Sequence, residues 1–469
     1  MKISPARKIA FDVLRRVETE GAFASDLLHA RLERAGQDAQ PLKPEDAALA
    51  TELTLGTLRW QRLLDALLEH QMTRPAARLD VEVRLALRLG LYQIRFLERV
   101  PAHAAVSQSV ELVKRAKKKS AAGLVNAVLR RAASRETGTA GGLVATPGQL
   151  WRANLPQPKG HSDTLAMEFS HPTWMVRRWQ ERFGEVRTVE LLRANNHAAR
   201  QTCIVHDAAR QEEATELLRK AGLTVDAAGF LRGAVRIKGG SASATEVFRR
   251  GWISIQDEAS QMVALLLGVE RGHRVLDVCA APGGKTATLA RAAEDALVVA
   301  GDLHAHRLHG MGPQLDRLGV RNVARVALDA TQPLPFSGAF ARILVDAPCS
   351  GTGTLARNPE IRWRLVLEDL AELHARQVAL LRNALELLAP RGRLVYATCS
   401  LEPEENEQVV EEVLRDSAGV RQVDACDALR PHLAAGVDPA LLADAAGWFR
   451  TFPPEHGTDG FVAAVLEKS

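Results

Sequence analysis

No run of 18 or more apolar residues occurs in this 469-residue sequence, so no membrane-spanning helix is expected. The start, MKISPARKIAFDVLRR, opens with charge. Asp12, Arg15 and Arg16 break up the apolar run that a secretory signal needs. Cysteine is scarce. Cys203, Cys279, Cys349, Cys399 and Cys426 are the five, and no two form a CxxC pair. That spacing excludes the usual zinc site, and no metal is expected. An odd, sparse set fits a reducing compartment, so the cytoplasm is the expected location. A GxGxxG dinucleotide fingerprint and any internal repeat are also missing. With 46% apolar and 25% charged residues, disordered and collagen-like classes are excluded too.

What is present is a soluble globular composition long enough for two or three domains. The formal net charge is +5, unevenly spread. Residues 1–140 hold 24 Lys+Arg against 16 Asp+Glu, a net +8, which leaves −3 for the rest. A basic excess confined to one region suggests a polyanionic partner there.

The first 135 residues predict helices. Ile9, Val13, Leu14 and Val17 recur at helical spacing, and Val83 to Leu97 is apolar on most sides, as a buried helix would be. Lys114 to Lys119 reads KRAKKK, expected on a helix ahead of another helical stretch from Leu124 to Arg130. Lys114, Arg115, Lys117, Lys118 and Lys119 are candidate phosphate contacts, against the plainer reading of a solvated face. Glu136 to Gly160, rich in Gly, Thr and Pro, reads as a linker. Strand candidates at Thr202–His206 and Ala234–Ile237 mark a small α/β module. From Gly251 onward, strands and helices alternate, with strands expected at Arg274–Val278, Leu297–Gly301, Val323–Ala327, Ala341–Val345 and Arg393–Ala397. That is the pattern of a mostly parallel, doubly wound sheet. The expected division is an all-α domain (1–140), a linker (141–165), a small α/β connector (166–245) and a Rossmann-like α/β domain (246–469).

The loop DVCAAPGGKT, Asp277 to Thr286, follows one strand and opens a helix, where ligands of such sheets bind. A P-loop would need glycine five positions before Gly284. Cys279 stands there instead, which disfavours a nucleoside triphosphatase. Asp277, Asp302, Asp329 and Asp346 fall at or just after successive strand ends. One such Asp is commonly a helix cap. Four make an acceptor-rich rim suited to ribose hydroxyls, an amino group and a cationic centre, as in an adenosyl group bearing a sulfonium. Cys349 in DAPCSGTG and Cys399 in YATCSLEPEEN follow strands of the same sheet. A lone cysteine is more often a small buried hydrophobe. Two in turn contexts at the ligand edge point to thiolate chemistry.

The strings DVCAAPGGKT, DAPCSGTGTLARNPEIRW and ATCSLEPEEN resemble the RNA cytosine-5 methyltransferases, in the branch of bacterial 16S rRNA enzymes called RsmB, Fmu or Sun. GWISIQDEAS (Gly251–Ser260) and the DGF at Asp459–Phe461 extend the likeness. VPAHAAVSQSVELVKRAKK and GLVNAVLRR resemble the NusB-like, RNA-contacting front of that branch. The resemblance implies an S-adenosyl-L-methionine-dependent enzyme. Cys399 would be the nucleophile and Cys349 the residue of product release, with Asp346 an acid near the target base. Cys279, Ala280, Ala281, Pro282, Gly283, Gly284 and Lys285 would form the cofactor loop, with Asp302, Asp329 and Asp346 as further contacts. The implied substrate is cytosine 967 of 16S rRNA, in a hairpin loop of naked or early-assembly RNA, and the implied enzyme acts as a monomer. The chemistry needs a thiolate because carbon 5 of cytosine attacks a methyl sulfonium only after a nucleophile adds at carbon 6. An RNA cytosine-5 methyltransferase acting on tRNA or another rRNA site is one alternative. A non-catalytic NusB-like RNA-binding factor is another, but it leaves both cysteine motifs idle. One departure stands out. Gly310-Met311-Gly312-Pro313 falls where the family continues a helix, and proline there predicts a break or kink.

Overall fold

The computed structural model describes residues 3–37, 42–72, 75–134, 159–292, 295 and 297–469. Most of the Glu136–Gly160 stretch, and with it most of the 141–165 linker, lies outside the described residues. The chain forms two compact units. The first takes Met1–Ala198 and Leu355–Arg364; the second takes Ala199–Thr354 and Leu365–Ser469.

The first unit is helical. Helix α1 (Pro5–Glu20) starts on Ser4, whose side chain accepts from the Arg7 amide, and stops at left-handed Gly21. Its Val13, Leu14 and Val17 are buried, as their spacing predicts. Helices α2 (Ala24–Gln37), α3 (Pro44–Arg59), α4 (Gln61–Glu69), α5 (Val81–Phe96), α6 (Ala102–Arg115) and α7 (Ala122–Ser134) complete the front. Eleven of the 16 residues of α5 are buried, so it is the central helix of this core. Helices α8 (His161–Glu168) and α9 (Thr173–Asn196) follow; α8 begins within the last residues expected to be linker.

The cation run differs from expectation. Helix α6 ends at Arg115, so only the first two residues of KRAKKK, Lys114 and Arg115, lie on it. Lys117 is left-handed, with φ 63°, and the Lys118 amide donates to Val113 O at 3.0 Å, closing the helix end. A residue pattern shows the charge but not the stop, because no glycine marks it.

The second unit holds two sheets. Strands β1 (Gln201–Val205), β2 (Thr224–Ala227), β3 (Ala234–Lys238) and β4 (Ile253–Ile255) form an antiparallel sheet ordered β2-β3-β1-β4, with α10 (Gln211–Lys220) between β1 and β2 in sequence. The larger sheet runs β10-β12-β9-β8-β5-β6-β7. Strands β5 (Arg274–Asp277), β6 (Leu297–Asp302), β7 (Val323–Ala327), β8 (Phe340–Asp346) and β9 (Leu388–Thr398) are parallel. Strands β10 (Val420–Val423), β11 (Phe449–Thr451) and β12 (Phe461–Lys468) add an antiparallel edge. Both faces of the parallel part are covered. Val275, Ala300, Leu344 and Val395 enter one core while Leu276, Val299, Ile343 and Leu394 enter the other, as a period of two requires.

Helices α11 (Glu258–Leu265), α12 (Gly284–Ala292), α13 (Ala305–Arg317), α14 (Asp369–Glu386) and α15 (Glu407–Arg415) flank this sheet. Helix α13 runs through Pro313 without a break, contrary to the sequence expectation. Proline removes the amide that would bond the His309 carbonyl four residues back. The Arg325 guanidinium reaches that carbonyl at 3.5 Å and Leu308 O at 3.0 Å. Gly312 leaves room for it: a Cβ there would sit 2.9 Å from the Arg325 guanidinium. Among the described residues no helix is long and apolar enough to cross a membrane.

Candidate active site

Strands β5, β6 and β8 end on Asp277, Asp302 and Asp346, and β9 ends on Thr398 beside Cys399. The sheet thus delivers the expected residues to its carboxyl edge, where open α/β sheets bind ligands. After β5 the chain turns through Cys279, Ala280, Ala281, Pro282 and Gly283, then enters α12 at Gly284. Gly283 has φ 102°, and a Cβ on it would meet Met311 of α13 at 3.0 Å. Only glycine satisfies both conditions.

Each of the four rim carboxylates has a local partner. Asp277 is buried, and its Oδ2 accepts from Thr286 Oγ1 at 2.7 Å. Its Oδ1 is buried without a hydrogen bond. Burial pushes the Asp277 carboxyl up to about 7, opposed by the Thr286 hydrogen bond. Asp302 accepts from the amides of Ala281 at 3.3 Å and His304 at 2.9 Å, with Arg307 at 3.5 Å. Asp329 is exposed and forms a turn with Thr331 at 2.7 and 3.0 Å. Asp346 pairs with Lys285 at 2.8 Å. Burial works against the Lys285 charge. Asp346 more than offsets that and raises the ammonium above its usual range. Capping and binding are compatible here, because a carboxylate offers about four lone-pair sites. An adenosyl group with a cationic sulfonium fits this edge: its acceptors outnumber their donors, and buried Asp277 Oδ1 is unpaired.

The two cysteines meet. Cys349 Sγ and Cys399 Sγ lie 3.3 Å apart, although 50 residues separate them. Contact with Cys399 first, and burial second, hold the Cys349 thiol well above its ordinary range, so Cys349 keeps its proton. Cys279 is also pushed up, by burial. The Lys285 ammonium lies 5.0 Å from the Phe461 ring centroid, which links the DGF segment to the same place. The Asp459 amide donates to Asp257 Oδ1 at 3.1 Å, joining that segment to the QDEAS string.

Residue patterns gave no role to the groups beneath the cysteines. Ser350, Ser400, Glu405 and Asn406 are all buried there. Thr398 Oγ1 donates to Asn406 Oδ1 at 2.6 Å, and Asn406 Nδ2 donates to Ser400 O at 3.0 Å. The available signal was the string EPEEN itself, three of whose polar residues turn inward instead of facing solvent.

The sheet, the small-residue loop after its first parallel strand and the acidic strand ends define a Rossmann-like methyltransferase domain. Residues 264–467 match the family model of the 16S rRNA methyltransferase RsmB/F. Residues 4–134 match the NusB family, and 171–243 match the ferredoxin-like domain of RsmF/B-like methyltransferases. The ribosomal RNA small subunit methyltransferase B of Pseudomonas syringae pv. tomato is 35% identical over 427 residues, covering 90% of this chain and 89% of that one. The Erwinia tasmaniensis protein of the same name is 31% identical over 471 residues, covering 100% and 99%. The crystal structure of a methyltransferase homolog from Pyrococcus horikoshii matches with a TM-score of 0.54 at 27% identity, over 65% of this chain and 98% of that one. The chain belongs to the 16S rRNA methyltransferase RsmB/F family, rRNA methyltransferases whose methyl donor is S-adenosylmethionine. Its three parts are a NusB-like helical front, a ferredoxin-like connector and the methyltransferase domain.

Proposed function

We propose that this protein methylates carbon 5 of a cytosine in 16S rRNA through a covalent adduct between Cys399 and carbon 6 of the ring. The observation that carries the reading is the 3.3 Å approach of two thiols from separate strand ends, in the same domain as the Lys285–Asp346 pair. A single structural cysteine would not need a second one there. S-adenosylmethionine, held by Cys279–Lys285, Asp302, Asp329 and Asp346, supplies the methyl group as an electrophile. The chain's own residues do the rest. The Cys399 thiolate forms the carbon 6–sulfur bond, and a proton reaches ring nitrogen 3 through Asp346, whose carboxyl the Lys285 ammonium holds in place 2.8 Å away. Carbon 5, now enamine-like, takes the methyl group. It then loses its proton to water, the proton on ring nitrogen 3 returns to Asp346, and the carbon–sulfur bond breaks to release Cys399 as thiolate. Cys349, which keeps its proton, serves this release.

The target must leave any base stack to reach Cys399. A hairpin-loop cytosine in naked or early-assembly RNA, cytosine 967 by family resemblance, meets that need, with the enzyme acting as a monomer in the cytoplasm. Cys399→Ser should abolish methylation of 16S rRNA, read as incorporation of labelled methyl groups. Full activity in that variant would end this mechanism. Cys349→Ala should accumulate an RNA–protein adduct that survives denaturing electrophoresis, and no adduct on a reactive RNA would remove its release role.

A further inference from the structure

Glu405 is fully buried, and among the described residues its side-chain hydrogen-bond partners are all neutral. Oε1 accepts from the Ser350 amide at 2.8 Å and from Gln377 Nε2 at 3.0 Å. Oε2 accepts from the hydroxyls of both Ser350 and Ser400. Ser350 directly follows Cys349, and Ser400 directly follows Cys399. One carboxylate therefore grips the residue after each cysteine. The two hydroxyls also touch each other at 3.0 Å. Gln377 carries the grip further, donating to Pro348 O at 2.9 Å on the other side of Cys349. Burial raises the Glu405 carboxyl despite these four donors. A chain keeps so costly a group in its interior only where the surrounding donors over-determine it. An apolar residue of similar size would fill the space but would let the two loops move independently.

We propose that Glu405 is a positioning residue that fixes Cys349 and Cys399 in register, so that the nucleophile and the releasing thiol face one target carbon. The inference rests on the adduct mechanism above. It predicts a fault in the geometry of the reacting sulfur, with binding left intact. Glu405→Ala should lower kcat by about a hundredfold, the scale of an ångström-sized misplacement. The KM for 16S rRNA and the affinity for S-adenosylmethionine should both stay within about twofold, because Glu405 contacts neither cofactor loop nor rim. Glu405→Gln should recover most of the rate: an amide still accepts from the Ser350 backbone, and hydroxyls can turn to accept from it.

The assay is adduct formation on 16S rRNA transcribed with 5-fluorocytidine, in which fluorine replaces the carbon 5 proton and cannot leave as a cation, so that the carbon–sulfur bond persists. The paired variant Ser350→Ala/Ser400→Ala cuts the same ties with little cavity and keeps the test open if Glu405→Ala fails to fold. It should slow adduct formation by about tenfold or more. A wild-type adduct rate in either variant overturns the proposal. So does a loss of cofactor affinity in step with kcat, which would mark a purely structural role. Cys399→Ala is run beside them. An adduct formed without Cys399 refutes the mechanism itself, whereas an adduct that needs Cys399 but ignores Glu405 refutes only the positioning role.

Discussion

The string DAPCSGTGTLARNPEIRW divides after Thr354, and its two halves use buried charge in opposite ways. Asp346 to Thr354 stays in the methyltransferase unit, where buried Glu405 collects hydroxyl and amide donors from the two cysteine loops. Leu355 to Arg364 belongs to the helical unit, where fully buried Arg362 collects acceptors instead. Its guanidinium donates to Ser170 O at 3.2 Å, Asn196 Oδ1 at 2.9 Å and Asn195 O at 3.1 Å, and lies 3.4 Å from Arg59 O. Arg59 ends α3 and Asn196 ends α9, so one cation caps two helix C-termini, where carbonyls lack partners and the helix dipole is negative. Trp363 Nε1 donates to Leu58 O at 2.6 Å, and Glu360 accepts from the Ala24 amide at 2.8 Å. Adjacent motif residues thus serve different ends: one half is tied to the second cysteine loop through Glu405, the other ties helix termini. A motif shared across a family is not on that ground alone a catalytic one.

The contrast can be broken most directly at Arg362. Arg362→Met keeps the length but leaves several buried carbonyls unpaired. It should lower the stability of the helical unit by about 3 kcal/mol or more, since each orphaned group costs about 1–3 kcal/mol. Calorimetric unfolding should show the loss, while S-adenosylmethionine affinity holds. An unfolding profile like that of the parent chain would mean the carbonyls find other donors and Arg362 is not the tie. Glu405→Ala also orphans buried donors and should lose stability in its own unit, but unlike Arg362→Met it should add a large loss of kcat.

A second test concerns the buried acid of the methyltransferase unit. Asp277 holds its proton up to about pH 7 in the fold, against 3.8 for an ordinary aspartate. Between those values the folded chain binds more protons than the unfolded chain. Stability without the cofactor should therefore fall as pH rises through that window and level off above it, with a slope of up to about 1.4 kcal/mol per pH unit. Asp277→Asn cannot ionise and should lose that slope. Denaturant unfolding at pH 4.5, 5.5 and 6.5 measures it, and parallel curves for the two proteins would show that Asp277 is charged in the fold.

Much of this architecture was legible in the sequence. Runs such as VLD, VVAG, RILV and LVYA each predicted one buried parallel strand, and the strands lie within a few residues of those expectations. Strand β12 was not seen. Phe461–Leu466 is a short apolar run, and helix and strand look alike at that length. Pro313 misled because a local rule registers the lost amide but not Arg325, which comes from another element to take the freed carbonyl. Glu405 carries no signal of its own: the four polar residues of EPEEN look solvent-facing, and only the folded loops turn three of them inward. Pairwise meetings at long sequence separation, such as Cys349 with Cys399, are what residue spacing does not contain.

The smallest predicted effect sharpens the charge argument for the helical front. Of the five cations in KRAKKK, three have acidic partners: Lys114 pairs with Glu111 at 2.8 Å, Arg115 with Asp12 at 3.0 Å and Lys118 with Asp80 at 2.9 Å. Lys117 and Lys119 are exposed, and neither has a carboxylate partner among the described residues. Exposed ion pairs contribute about 1 kcal/mol or less, so pairing does not bar Lys114, Arg115 or Lys118 from RNA. Each must first give up a carboxylate to reach a phosphate, and the other two need give up nothing. If RNA binds here, Lys117→Ala/Lys119→Ala should reduce the slope of log affinity against log salt by about 1.4 to 1.8, near 0.7–0.9 per phosphate neutralised. Lys114→Ala/Lys118→Ala should change it less. Filter binding of 16S rRNA at several salt concentrations separates the cases. Equal losses would mean that charge density alone matters, and an unchanged slope in Lys117→Ala/Lys119→Ala would make the run a solvated surface, moving the RNA contact of this unit elsewhere.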